Sequence, residues 1–504
     1  MPAYLDSLLQ KAKEGKPPVV EEGKKVLVDS YGDVRIYKEP GESMLLYDVP
    51  SPHYRGEEKA LIDALIEIAL NVVIVDGSQL TIEERKKTYV ARVLEIIEKT
   101  PELKVPNTLK EFYARAVARE MVGYGLLDPL TSDDQLEEIM VIGPNKPVYV
   151  FHRKYEMLKT NVVFYEDKDI RDLVDRIARA IGRRIDLQVP LLDARLKDGS
   201  RVNATLPPIS LDGTTITLRK FRKDPLTVID LIKYGTVDFK VASFLWLASD
   251  GAGAYPANIL IAGGTASGKT TSLNMLTSFV PNTERVVSIE DIAELNLPLP
   301  HWIRMEVRPA SIEGTGEINM NDLVKNSVRM RPDRIIVGEV RGEEGYTLFA
   351  AMNTGHRGCF GTVHANSARE TLVRLTSPPI SVPEIMISSL NLILMQNRIH
   401  DRRKGTLRRI TEVAEVLPGS SMDKPELQVL YDWDPVKDEL RETGNASYYL
   451  QLLSKYTGLT QSELGKEMQA REDLLREMVK KGTRDIFDVC SITQGFVPKR
   501  KLLI

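Results

Sequence analysis

Residues 259–272, ILIAGGTASGKTTS, constrain the fold of this chain more than any other stretch. Ile259-Leu260-Ile261-Ala262 is an apolar run of strand length. Gly263-Gly264-Thr265-Ala266-Ser267-Gly268-Lys269-Thr270 breaks it, and a helical pattern begins at Thr271. A strand passing through such a loop into a helix is a phosphate-binding loop. Gly263 and Gly268 permit backbone conformations that a Cβ forbids, so successive N–H groups can turn toward a polyphosphate. The helix then offers its unpaired N–H groups and positive dipole end to the same anion. On this reading Gly264, Thr265, Ala266, Ser267 and Thr271 complete the cradle. Lys269 reaches the β- and γ-phosphates of ATP, and the Thr270 hydroxyl holds Mg2+.

A chain of 504 residues has room for two to four domains, each with its own core. With 28% charged and 42% hydrophobic residues, the balance is that of a soluble globular protein. The net charge of -3 gives no basic field, so stable nucleic-acid binding is not expected. Cys359 and Cys490 are the only cysteines and lie far apart, so neither zinc nor a disulfide framework is expected, and a reducing cytoplasm fits. The most apolar long segment, 60–75, carries Asp63 and Glu67 and is too short to span a bilayer. The opening MPAYLDSLLQ lacks an apolar signal core, which argues against secretion.

Taken in order, residues 1–124 predict a short helix, then strands near 26–28, 34–37 and 44–47, then helices over 57–75, 82–98 and 108–122. Residues 125–221 predict an α+β domain. Its strands fall at 138–142 and 147–151 around the turn Gly143-Pro144-Asn145-Lys146, and near 194, 202–205 and 215–218, with a helix over 169–181. Arg222-Lys223-Asp224-Pro225 breaks both periods and opens a linker placed at 222–238. Within a core at 239–418, strand-like runs at 259–262, 286–289, 335–337, 359–363 and 392–395 alternate with helical stretches. That alternation predicts an α/β fold with a mostly parallel sheet flanked by helices. Residues 419–504 predict a strand at 427–431 and helices over 446–456, 461–480 and 486–492.

Three further strand ends carry candidate chemistry. Arg334-Ile335-Ile336-Val337-Gly338-Glu339 delivers an acid where parallel sheets bind their ligands, and Glu339 is the candidate base for an attacking water. Ser288-Ile289-Glu290-Asp291 ends in acids, with Glu294 following; Glu290 or Asp291 binds magnesium through water, or Asp291 caps a helix. His364, in Gly361-Thr362-Val363-His364, is either structural or a donor that senses the γ-phosphate. Hydrolysis also needs positive charge from outside the loop. Arg195, Arg201, Arg219, Arg329, Arg331 and Arg341 are all candidates, and spacing does not choose among them. The basic run holding Arg402, Arg403, Lys404, Arg408 and Arg409 around Gly405 reads as a solvated hairpin tip, with a partner or lipid surface as the other reading.

Four stretches together resemble one family: GGTASGKTT as its Walker A loop, SIEDIAE as its aspartate box, RPDRIIVGEVRG as its Walker B segment and GTVHAN as its histidine box. This is the type II/type IV secretion ATPase superfamily, which drives pilus, archaellum and secretion pseudopilus assembly. The likeness reaches upstream to GLLDPLTSDDQLEEIMVIGPNKPVYV and DGSRVNATLPP, and covers about 125–418. The resemblance implies a RecA-like P-loop core preceded by a PAS-like α+β domain. It implies that Lys269 and Thr270 bind phosphate and Mg2+, that Glu339 is the catalytic acid, that Glu290, Asp291 and Glu294 are the aspartate-box acids, and that His364 is the histidine-box residue. Arg201 and Arg219 match arginines that the family sends toward the nucleotide. A homo-hexamer is also implied, cytoplasmic and docked on a polytopic membrane platform protein. Bacterial assembly members often carry a four-cysteine zinc insert that has no counterpart here, and the N-terminal layout and TASGKTT loop look closer to archaeal pilus and archaellum motors. A nucleic-acid-translocating ATPase, such as one of conjugative type IV secretion, and a nucleotide-binding scaffold without turnover are the competing readings.

Overall fold

The computed structural model describes residues 25–50, 57–72, 82–103, 105–222, 224–310, 315–401, 405–419 and 425–496. The expected N-terminal helix and Arg402, Arg403 and Lys404 lie outside them. Two units divide the chain, Met1–Arg222 and Lys223–Ile504.

Alternation of buried and outward residues builds the sheet of the first unit. In order come β1 (Val26–Tyr31), β2 (Val34–Lys38), β3 (Leu46–Asp48), helices α1 (Glu57–Val72), α2 (Ile82–Lys99) and α3 (Lys110–Val122), then β4 (Leu136–Val141), β5 (Pro147–His152) and β6 (Glu156–Val163). Helix α4 (Asp167–Ala180) and strands β7 (Leu191–Arg195), β8 (Arg201–Thr205) and β9 (Thr215–Arg219) complete it. The nine strands run in the order β1-β2-β3-β6-β5-β4-β9-β8-β7. Ile170, Leu173, Val174 and Ile177 of α4 are buried, the spacing of one helical stripe laid on a sheet. A separate 1–124 domain was the expectation, yet β3 pairs in parallel with β6 and so joins the first three strands to this sheet. Side chains reinforce the join: the hydroxyls of Tyr31 and Tyr47 both donate to Asp133, and that of Tyr155 donates to Asp29. Helices α1–α3 share a core of their own around Leu65, Val93, Ile97 and Val117.

The second unit is organised on a strand buried along its whole length, β10 (Ile259–Gly263). Before it come α5 (Val228–Lys233) and α6 (Phe239–Asp250); after it come α7 (Lys269–Thr277), β11 (Val286–Glu290), β12 (Trp302–Glu306), α8 (Met320–Val328), β13 (Arg334–Val337), α9 (Glu344–Asn353), β14 (Phe360–Val363) and α10 (Ala368–Thr376). Strands β15 (Leu392–Asp401), β16 (Gly405–Leu417), β17 (Glu426–Asp434) and β18 (Glu439–Glu442) and helices α11 (Tyr448–Thr457), α12 (Gln461–Lys481) and α13 (Ile486–Gln494) follow. The sheet order is β12-β11-β13-β14-β10-β15-β16-β17-β18. Its first six strands are mutually parallel, and the last three add antiparallel hairpins. One strand, β14, separates the loop-bearing β10 from the acid-bearing β13, which is the RecA-like arrangement. All five predicted core strands stand in the parallel part.

Two further boundaries move. Within 222–238, expected as linker, Val228, Ile229 and Leu231 of α5 are buried in the core of the second unit, because Thr227 and Asp230 close a capping box that makes this short helix stable. Residues beyond 419 also belong to the core. The carboxylate of Glu415 on β16 accepts from the Ser447 hydroxyl and from the backbone N–H groups of Tyr448 and Tyr449, capping α11 against the sheet.

Candidate nucleotide-binding site

The loop between β10 and α7 is shaped by close approach. A Cβ at Gly263 would stand 2.1 Å from the carbonyl oxygen of Gln396, its partner on β15, so only glycine lets the chain leave the strand there. Gly268 holds φ at +98°, left-handed backbone that favours glycine, and forms the N-cap of α7. Helix geometry leaves the first N–H groups of α7 without intrahelical acceptors, and Lys269, Thr270 and Thr271 occupy that turn. Lys269 is buried, and its ammonium donates to the carbonyls of Gly263 (3.0 Å) and Gly264 (2.9 Å). Burial lowers its affinity for a proton; Arg341 adds to that, and Glu339 opposes it.

The acids and His364 converge on this lysine. Lys269 Nζ lies 3.5 Å from His364 Nδ1, and His364 Nε2 lies 3.1 Å from Glu339 Oε1. Glu339 Oε2 accepts from Arg341 at 2.7 Å, and Arg341 reaches Asp291 at 3.5 Å. Five charged or titratable side chains from four strand ends therefore form one connected row. Burial pushes the Glu339 carboxyl up, but the Arg341 hydrogen bond and charge, with His364 and Lys269, outweigh it and leave the group below its usual value. Burial and then Lys269 lower His364, against the pull of Glu339. At neutral pH the ring is therefore uncharged: Nε2–H donates to Glu339 while the Nδ1 lone pair faces the ammonium.

Glu290 is almost completely buried. Its Oε2 accepts from the N–H groups of Glu294 and Leu295, while Oε1 has no hydrogen-bond partner. A Cβ at Gly338 would come within 3.0 Å of Glu290 Cγ, so this carboxylate packs directly beside the residue that precedes Glu339. A buried acceptor left unpaired fits the hydration shell of a metal ion. Together with the Thr270 hydroxyl and the loop amides, it makes the site compatible with Mg2+ and a nucleotide polyphosphate. Asp291 caps no helix, since the chain after β11 is irregular; it pairs with Arg341 instead. Glu294 contributes its backbone N–H to Glu290.

Burial raises the Glu290 carboxyl, against its two backbone hydrogen bonds. A carboxyl raised on folding adds stability at low pH that is lost as pH rises through its folded value. Glu290→Gln removes that penalty. Thermal melting across pH 5 to 8 is expected to show the variant gaining on wild type as pH rises, by about 2 °C at the alkaline end. A variant that melts lower at every pH contradicts this account of Glu290.

The arginines separate into groups. Arg329 and Arg331 lie before the first residue of β13, at the opposite end of that strand from Glu339, and both are exposed; Arg341 alone of these three joins the row. In the first unit, Arg195, Arg201 and Arg219 are direct cross-strand partners on β7, β8 and β9, so three cationic side chains share one face at successive strands. Asp193 stands 3.8 Å from Arg201, and Glu138 stands 3.8 Å from Arg219.

The hairpin-tip reading of the basic run needs correction. The hairpin is present as β15–β16, but Arg409 is buried and bridged to Asp438 and to the Tyr234 carbonyl, because its strand position turns it inward. Arg408 donates from Nε to the carbonyl of Ala266, at the apex of the phosphate loop, 3.0 Å away. Buried Gln396 accepts from the Ser272 hydroxyl at 2.5 Å. Neither residue stands out in sequence: Arg408 is one cation in a cluster, and Gln396 is a polar residue ending an apolar strand. A cavity of about 490 Å3 lies at the other ends of the strands, lined by Arg334, Glu284, Asp250 and Arg357. Its Arg334 is already paired with Glu284, and it touches none of the row.

The sheet order, the loop and the row of side chains define a P-loop protein with a RecA-like core. Residues 122–417 match the family described as Type II/IV secretion system protein, and the chain belongs to that family. An uncharacterized protein of Methanocaldococcus jannaschii is 33% identical, over 79% of this chain and 78% of its own. A putative conjugal transfer protein of Mycobacterium tuberculosis is 38% identical, over 52% of this chain and 74% of its own. Among solved structures, the Legionella pneumophila ATPase DotB is similar at 18% identity with a TM-score of 0.41, over 73% of this chain and 91% of that one.

Proposed function

We propose that this chain is an ATPase that hydrolyses Mg-ATP and works as a homo-hexamer on the cytoplasmic face of a membrane, powering assembly of a pilus-like filament through a polytopic platform protein. The observation that carries the reading is the row from Lys269 through His364 and Glu339 to Arg341 and Asp291, set against the phosphate loop. The site would be completed by Mg2+, which when bound would supply positive charge against the negative charge of the phosphates. Thr270 would hold the ion directly and Glu290 and Asp291 through water. The loop N–H groups and Lys269 bind and orient the polyphosphate. Glu339, kept ionised, accepts a proton from the attacking water, and the neutral His364 holds one of its oxygens in place. The Arg201–Arg219 pair would supply further positive charge to the γ-phosphate. Among the described residues no helix is long and apolar enough to cross a membrane.

The curated relative that carries a conjugal transfer name keeps nucleic-acid translocation as a second reading. Phosphate release by the purified chain, measured with and without magnesium and with and without DNA, separates the two. The filament motor predicts magnesium-dependent release that DNA leaves within about twofold; strong and selective stimulation by DNA would transfer the assignment to the second reading.

A further inference from the structure

We propose that Arg408 is a nucleotide-binding residue that takes the α-phosphate side of the bound nucleotide, on the flank of the loop opposite the hydrolytic row. This rests on the nucleotide reading above and adds to it a residue supplied by the β15–β16 hairpin.

Strand order gives the bound nucleotide a direction. Glu339 follows β13 and His364 follows β14, both on one side of β10, whereas β15 and β16 lie on the other. A polyphosphate threaded through the loop with its terminal phosphate toward Glu339 and His364 directs its nucleoside end toward β15 and β16. Two side chains of that hairpin already grip the loop there. A Cβ at Gly268 would meet Gln396 Nε2 at 2.9 Å and Arg408 Cδ at 3.4 Å, so both pack against the residue that caps α7. Gln396 is fixed by its buried hydrogen bond to Ser272, one turn into α7. The Arg408 Nε–H is held by the Ala266 carbonyl, which orients the planar guanidinium and leaves its two terminal amino groups to point elsewhere. No acidic partner is found for it among the described residues, and its neighbour Arg409, by contrast, spends its guanidinium on Asp438. An oriented, half-exposed guanidinium without a counter-ion beside a phosphate loop has the chemistry of an anion ligand.

The test is binding, by calorimetric titration of the full chain with Mg-ATP, Mg-ADP and magnesium pyrophosphate. Arg408→Ala is expected to weaken ATP and ADP by equal factors of about ten, to leave pyrophosphate within twofold, and to melt as wild type does without ligand. Equal weakening of all three would mean that Arg408 only shapes the loop, and loss for ATP alone would put it at the terminal phosphate; unchanged affinity for ATP and ADP would remove it from the site. Each of these three results overturns the proposal. Lys269→Ala separates the two levels of the argument: if it abolishes binding while Arg408→Ala does nothing, only the Arg408 assignment fails, and if it too binds as wild type does, the nucleotide reading fails with it.

Discussion

Glu339→Gln is expected to lower phosphate release by about 10²- to 10⁴-fold while ATP affinity stays within about threefold of wild type. The glutamine keeps the shape and one acceptor oxygen but cannot take a proton from water. The charge it removes is flanked by two groups that depend on it differently. Arg341 loses its anionic partner at 2.7 Å but retains Asp291 at 3.5 Å, so the row is weakened rather than dispersed. His364 loses the group that opposes the lowering of its proton affinity, and so stays neutral. Binding, which depends on the loop amides and Lys269, is therefore spared. Wild type and variant releasing phosphate at the same measurable rate would place the base elsewhere; equal and negligible rates would favour a nucleotide-binding scaffold without turnover.

The second large effect lies far from the site. Arg471 on α12 is fully buried and donates from Nε and Nη2 to Asp250, the last residue of α6, and from Nη1 to Glu467. Its guanidinium also lies 4.7 Å from the Phe496 ring centre and 5.7 Å from that of Trp246. Burial already pushes the Asp250 carboxyl up, and truncation removes the guanidinium that opposes this; breaking such a buried pair costs about 3–5 kcal/mol. Arg471→Ala is thus expected to lower the melting temperature of the second unit by about 10 °C. Pairing Arg471→Met with Asp250→Leu should recover most of that loss, because no charge is then stranded. A single variant that melts within 2 °C of wild type would show that the C-terminal helices are not locked to the core in this way.

These two residues also mark what the chain discloses by itself. Glu339 is legible because the apolar run Ile335-Ile336-Val337 of β13 delivers it next to glycine, and the same logic exposes Lys269, Glu290 and His364 at the ends of β10, β11 and β14. Strands buried on both faces are continuous apolar runs, so their ends can be counted in one dimension. Arg471 is not legible, since a charged residue at helical spacing is solvated in most helices and only the fold reveals Asp250 beside it. Strand β16 was hidden for a related reason: Arg408 and Arg409 interrupt its apolar pattern, and the burial of Ile410, Val413, Ala414 and Val416 depends on partners in β15 and β17. Strand β6 was missed because Lys159, Thr160 and Asn161 dilute its alternation, although Leu158 and Val162 face the core. Pairing between strands distant in sequence, such as β3 with β6, carries no local signal at all, and it moved the boundary expected at residue 124.

If the amides and ammonium around Lys269 hold a nucleotide through its phosphates, with magnesium, then calorimetric titration of the purified chain with ATP, in magnesium and then in a chelator, will give saturable binding that requires magnesium and disappears in Lys269→Ala. Heat signals no different from buffer under both conditions would leave the loop without a nucleotide to hold.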